Sequence, residues 1–201
     1  MASILKVDTI QDQSGNNIIN ESADTITIGA SGDTITIPSG ATLSNLGTAT
    51  GFGVNTPAFF AYNDGSATQS ISTAVWTEAT IYGVESFDTD SAFDTTTCRF
   101  TPQVAGKYFF TASIYGPDFG ANFNGILLSK NGSNDLNSSS NTGNLDITAI
   151  DFLSVNGIIT LNGTTDYVSI FVNQQAGVSK NIGGSSGASI SFFGGYKLIG
   201  A

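Results

Sequence analysis

The chain has 201 residues, enough for one domain of ordinary size or one domain with an extension. Only six cations stand against 16 carboxylates, a net charge of −10, which excludes the phosphate neutralisation that nucleic-acid binding requires. With no histidine and one cysteine, the commonest general base, the usual zinc sites and any disulfide framework are excluded as well.

Residues 1–53 are read as an N-terminal β-repeat stalk region, and residues 54–201 as a globular knob. The division rests on aromatic content. Phe52 is the single aromatic residue of the first region, whereas the second holds every other phenylalanine, all six tyrosines and Trp76. A segment without large side chains builds a poor core of its own. The opening MASILKVDTIQDQ has no apolar stretch of signal-peptide length, and no run of 18 apolar residues occurs. The chain is therefore expected to stay in the compartment where it is made and not to insert in a membrane.

Asp24 opens DTITIGASG and Asp33 opens DTITIPSG, a repeat nine residues apart. Ile26 and Ile28, then Ile35 and Ile37, alternate with threonine, the period of a strand with one buried face. Two such strands cannot make a core alone. The four isoleucines are read as the core of a stalk wound from symmetry-related chains, with a small hairpin as the bland alternative.

The second region reads as β throughout. GKYFFTASIY (106–115) puts Tyr108, Phe110, Ala112 and Ile114 on one face and Phe109, Thr111, Ser113 and Tyr115 on the other. FNGILLSKNG (123–132) is a strand entering an Asn-Gly turn. NLDITAIDFLSVN (144–156) admits a helix, but its β-branched content favours strand. DYVSIFV (166–172) sets Val168, Ile170 and Val172 against Tyr167 and Phe171, and ASISFFGGYKLIG (188–200) closes the chain. Short strands parted by Gly, Asn and Ser turns predict an all-β sandwich or jelly roll. Aromatics on both faces of several strands predict burial against another molecule. Phe109, Tyr115, Phe171 and Phe193 are the residues expected to supply either the core or that interface.

Several landmarks occur in order: AFFAY (58–62), Trp76, FDTDSAFDTTTCRFTP (87–102), GKYFF (106–110), LLSKNG, LNGTTDYVSIFV and SFFGGYKLI. Together they resemble the globular head of the complement C-one-q family, related in fold to tumour necrosis factor. The resemblance covers about residues 57–200 and implies a ten-stranded jelly roll in a threefold trimer. Animal members carry a collagen-like stalk; residues 1–53 stand in its place here. The string SILKVDTIQD followed by DTITI repeats resembles the opening of small structural proteins of marine tailed bacteriophages, especially those infecting cyanobacteria. That resemblance implies a virion protein made in the host cytoplasm and released by lysis.

Asp88, Asp90 and Asp94 form an acidic turn with oxygens suited to calcium. Ala92 and Phe93, however, stand at the fifth-ligand and glycine positions of an EF-hand loop, so a structural turn is the better reading and no cofactor is expected. Asp146, Asp151 and Asp166 are spread over different strands or loops, and nothing in the sequence brings two of them together as a glycosidase pair. Cys98 lacks a histidine to activate it, and no enzyme activity is expected. Receptor contacts are expected from two polar loops: Asn131, Ser133, Asn134, Asp135, Asn137 and Asn141 in the first, Gln174, Gln175, Lys180 and Asn181 in the second. The combined expectation is a homotrimeric short tail fibre or tip adhesin. Its N-terminal segment would bind another virion protein, and its knob a host-surface glycan or protein. A head-decoration or head-fibre protein is the alternative, and a soluble glycan-binding, lectin-like module the third.

Overall fold

The computed structural model describes residues 9–11, 13–15, 17–22, 25–29, 31–44, 46–47, 55–117, 119, 123–134, 142–146, 152–184 and 191–199. The chain divides into two compact units, Met1–Gly51 and Phe52–Ala201.

The first unit holds β1 (Thr9–Gln11), β2 (Asn17–Ser22) and β3 (Thr25–Ile28), an antiparallel sheet in that order. The repeat is only half used. Its first copy is β3, while Thr34–Ile37 of the second copy forms no strand, a correction to the expectation of two. No described side chain of this unit is buried.

The second unit is built from β4 (Ala58–Tyr62), β5 (Thr68–Ile71), β6 (Thr77–Glu78), β7 (Val84–Asp88), β8 (Phe93–Asp94), β9 (Arg99–Phe100), β10 (Gly106–Tyr115), β11 (Asn124–Lys130), β12 (Thr142–Asp146), β13 (Phe152–Leu161), β14 (Val168–Gln174), β15 (Lys180–Gly183) and β16 (Phe192–Lys197). One sheet runs β13-β10-β16-β4-β7. The other runs β12-β11-β14-β9-β8, with β6 added on β14, and β15 pairs with β5 as a separate ribbon. The chain enters the first sheet at β4, returns to it for β7 and again, after β8 and β9 in the second sheet, for β10, and then crosses to the second for β11 and β12. It then returns for β13, crosses for β14 and returns again for β16. This is jelly-roll connectivity, and the two main paths supply ten strands. The fold is all-β, as expected, and the stretch 144–156 contributes strand at both ends, with 147–151 outside the described residues.

Alternation decides what lies between the sheets. Tyr108, Phe110, Ala112 and Ile114 of β10 all point inward and are fully buried. They meet Val168, Ile170 and Val172 of β14 and Ile126 and Leu128 of β11 in one core. Phe59 is its centre: its ring stacks on Phe93 at 4.8 Å and Phe100 at 4.5 Å, and meets Phe193 edge-on at 4.8 Å. Offset and edge-on aromatic contacts of this kind add to the burial term. Tyr108 turns its hydroxyl out of this apolar layer to donate to the Val104 carbonyl at 2.6 Å, and burial raises its pKa to about 12.

Candidate functional site

The other face of the five-stranded sheet is unlike an ordinary solvent face. Register fixes its rows. In the first, Ala58, Tyr196, Phe109 and Ile158 stand side by side. In the second come Phe87, Phe60, Gly194, Thr111 and Asn156. Tyr62, Phe192, Ser113 and Ser154 form the third, and Tyr115 opposes Phe152 beyond it. No charged side chain stands in these rows. Their rings touch in pairs: Phe109 with Tyr196 at 5.6 Å, Phe60 with Phe192 at 5.5 Å, and Tyr115 with Phe152 at 5.2 Å. Yet Phe87 is 50% exposed, Phe152 46% and Ile158 54%. A contiguous aromatic face of this kind is the composition of an interface core, where charge is depleted and aromatics are enriched.

The face also carries a recess. A cavity of about 260 Å³ opens among Phe60, Phe87, Phe109, Thr111, Gly194 and Tyr196. It exists because β16 has no side chain at its midpoint. A Cβ on Gly194 would lie 2.8 Å from the Phe60 ring, so glycine is what lets Phe60 keep its place. An apolar socket in an apolar face suits a buried anchor side chain.

The outer face of the second sheet differs. Arg99 donates from Nε and Nη2 to the Glu78 carboxylate at 2.8 and 2.7 Å, and its guanidinium lies 4.4 Å over the Tyr167 ring. Burial pushes the Glu78 pKa up, but the hydrogen bonds from Arg99 outweigh it and hold the carboxyl below its ordinary value. These charges satisfy one another.

The structure scatters the expected site residues. Phe109 and Tyr115 lie on the aromatic face, but Phe193 is fully buried in the core, and Phe171 sits half-buried on the opposite sheet beside Glu78. The four do not form one site, because a strand's neighbours alternate between faces. Asn131 is exposed, and its side-chain amide is held within a turn. Its φ is 56°, its Nδ2 donates to Asp166 at 2.9 Å, and its Oδ1 accepts the Tyr167 N–H at 2.9 Å. Asp166 also accepts from Lys130 at 2.8 Å and from the Asn162 N–H at 2.9 Å. Burial raises its pKa, but these bonds bring it below the ordinary value. Gln174 corrects the loop reading. It ends β14 fully buried, with Nε2 donating to the carbonyls of Ile71 at 2.9 Å and Val178 at 3.0 Å.

Ser133, Asn134, Gln175 and Asn181 are exposed and Lys180 is half-exposed, the last two on β15 and not in a loop. Asp135, Asn137, Asn141 and Asp151 lie outside the described residues, and Asp146 lies in β12.

The acidic turn folds onto its own backbone. Asp88 accepts the Phe93 N–H at 2.8 Å, and Asp94 accepts the Thr96 N–H at 2.8 Å and the Thr97 hydroxyl at 2.9 Å. The Thr96 N–H and the Thr97 hydroxyl hold the Asp94 carboxyl below its usual range. Asp90 is exposed, and its N–H donates to Asp88 at 3.4 Å. Among the described residues no group of three or more His, Cys, Asp or Glu is placed to hold a metal ion. Cys98 is buried, and burial raises its thiol pKa to about 11. The isoleucines Ile26, Ile28, Ile35 and Ile37 are 68%, 55%, 60% and 49% exposed. The aromatic face as a whole was foreshadowed by two-sided strands, but its recess depends on Gly194, which no periodicity marks.

No protein-family model matches the chain. No curated protein matches it either. Solved structures do. The globular domain of zebrafish complement 1qA is 17% identical, with a TM-score of 0.47, over 71% of this chain and 98% of that one. The Eiger TNF of S. frugiperda is 12% identical, with a TM-score of 0.49, over 72% and 93%. The PRD1 vertex protein P5 is 13% identical, with a TM-score of 0.51, over 73% and 99%. At these identities the shared property is the fold.

Proposed function

We propose that this chain is a structural knob of a virion that works as a homotrimer: a short tail fibre or tip adhesin, with the N-terminal unit as its attachment to the particle. The observation that carries the reading is the aromatic face, uncharged in the rows around its recess. Left in water, such a face promotes aggregation; packed against copies of itself around a threefold axis, it becomes an interface core. The polar residues Ser133, Asn134, Gln175 and Asn181 remain exposed on the monomer. Three weak polar sites on each knob, repeated over a particle, would bind a host-surface glycan or protein by avidity without a deep pocket. Release by lysis accounts for a surface suited to the outside of a cell.

A capsid position is the second reading. It is favoured by the fold shared with a protein whose name places it at a vertex. A density map of the whole particle separates the two. The proposal expects this protein at the tail; density at capsid vertices alone overturns the tail assignment and leaves the knob. The trimer has its own test. Three chains of 20.7 kDa give about 62 kDa by light scattering. A stable single-chain mass removes the basis of the knob.

A further inference from the structure

The N-terminal unit contains one pentapeptide twice, Asp24–Ile28 and Asp33–Ile37. The first copy pairs with β2, placing Ile19 opposite Ile28 and Glu21 opposite Ile26. The second, identical in sequence, joins no strand. A hairpin would be the simple outcome, since Gly29 and Gly32 both turn the chain at positive φ, 82° and 96°. The chain does not take it. The far edge of β3 has no strand partner among the described residues, and an equivalent strand a few residues on has no sheet.

Both pieces expose apolar side chains. Beyond the four repeat isoleucines, Leu43 is 68% and Leu46 100% exposed. Buried together, these six side chains would remove roughly 800 Å² per chain from water, the share one partner gives to a standard interface. The unit buries none of its own described side chains, so nothing within one copy offers that cover.

We propose that Thr34–Ile37 of one copy adds as a strand to the free edge of β3 in a second copy of this chain. The partner is a second copy because edge and added strand carry the same residues: isoleucines then lie over isoleucines on one face and threonines over threonines on the other. The contact is head-to-tail, edge of one copy with strand of the next, so it closes only as a ring. The inference rests on the trimeric reading above, for which three copies close it. The identical repeat is thereby explained as donor and acceptor of one β-augmentation.

The test uses the full chain with paired cysteines on the threonine face. Thr27→Cys with Thr36→Cys reports a parallel addition or the antiparallel one that sets Ile26 against Ile37, and Thr25→Cys with Thr36→Cys the antiparallel one that sets Ile26 against Ile35. Mild oxidation followed by a non-reducing denaturing gel is expected to convert the single-chain band into two- and three-chain species for one of the pairs. The parent chain, whose lone Cys98 is buried, should stay at one chain. Single-chain bands for both pairs overturn the proposal, as does a crosslink confined within one chain. Light scattering on the same samples keeps the readings apart. A three-chain mass without crosslinks defeats the strand addition alone, and a single-chain mass defeats the trimer as well.

Discussion

The two units of this chain use the same local pattern to opposite ends. In β10, alternation places Tyr108, Phe110, Ala112 and Ile114 in a core closed by the facing sheet of the same chain. In the N-terminal unit the alternation of Ile26 and Ile28 with threonine is just as regular, and every residue of β3 is exposed. Period-two patterning thus states that a strand has an apolar face; it does not state who covers it. The difference is volume. Large aromatics in the second unit fill a two-sheet sandwich, while the four repeat isoleucines cannot enclose an interior. The core of the second unit should therefore close within one chain, whereas cover for the apolar face of the first should depend on chain concentration.

The largest effect expected is on the closed core. Phe59→Ala removes a ring in contact with Phe93, Phe100 and Phe193. It should cost about 3–5 kcal/mol of unfolding free energy, by the usual scale for such truncations. Urea titration at two protein concentrations checks it. An equal loss at both concentrations sharpens the contrast; a loss that vanishes at the higher one would mean that the core, too, is completed between chains.

Much of this was readable beforehand, and the parts that were not share a cause. Inward and outward residues of β10 and β14 follow from alternation alone, and the order of landmark segments gives the jelly roll. Within the receptor loops, hydrogen bonding decides what composition does not. Asn131 and Gln174 look alike in a run of Asn, Gln, Ser and Gly, but Gln174 is buried and donates to the Ile71 carbonyl, whereas Asn131 stays exposed while binding Asp166 and the Tyr167 N–H. Polar composition says that a residue needs partners, not whether water or the protein supplies them. The second repeat failed for the complementary reason. Thr34–Ile37 has the composition of β3, but in one chain it lacks a neighbouring strand, and a strand is defined by its partner.

The second effect concerns the aromatic face. Phe109→Asp with Tyr196→Asp places two charges beside the recess, in rows where none stand. Self-association should weaken by on the order of a hundredfold or more, the scale of losing a central anchor. Circular dichroism should show the same β content, because neither side chain enters the core. A trimer that survives with unchanged affinity would move the interface elsewhere and leave the aromatic face unexplained.

A third, smaller effect belongs to the open unit. Changing Ile26, Ile28, Ile35 and Ile37 together to Asp should raise amide hydrogen exchange in residues 25–37 to the free-chain rate. The melting temperature of the second unit should not move, since those side chains belong to the other compact unit. A matching drop in that melting temperature would break the comparison, because the units would then share one cooperative fold.

The smallest effect is electrostatic and again confined to the closed unit. Glu78 has its pKa held below the ordinary value despite burial, chiefly because Arg99 hydrogen-bonds both carboxylate oxygens. A carboxyl with a lowered folded pKa contributes stability that is whole above its unfolded value and fades as pH falls through the folded one. The contribution should therefore be present above pH 4.5, the ordinary glutamate value, and disappear below it. Asp166 is lowered too and fades in the same direction, so the total slope does not identify either group. Glu78→Gln does. Relative to the parent it should lose about 1 kcal/mol at neutral pH, as for a well-formed, partly exposed bidentate pair, and the gap should close on acidification. The pair lies within one chain, so the gap should be the same at every protein concentration. A gap that grows with concentration would place Glu78 and Arg99 at a contact between copies, on the sheet face assigned here to solvent.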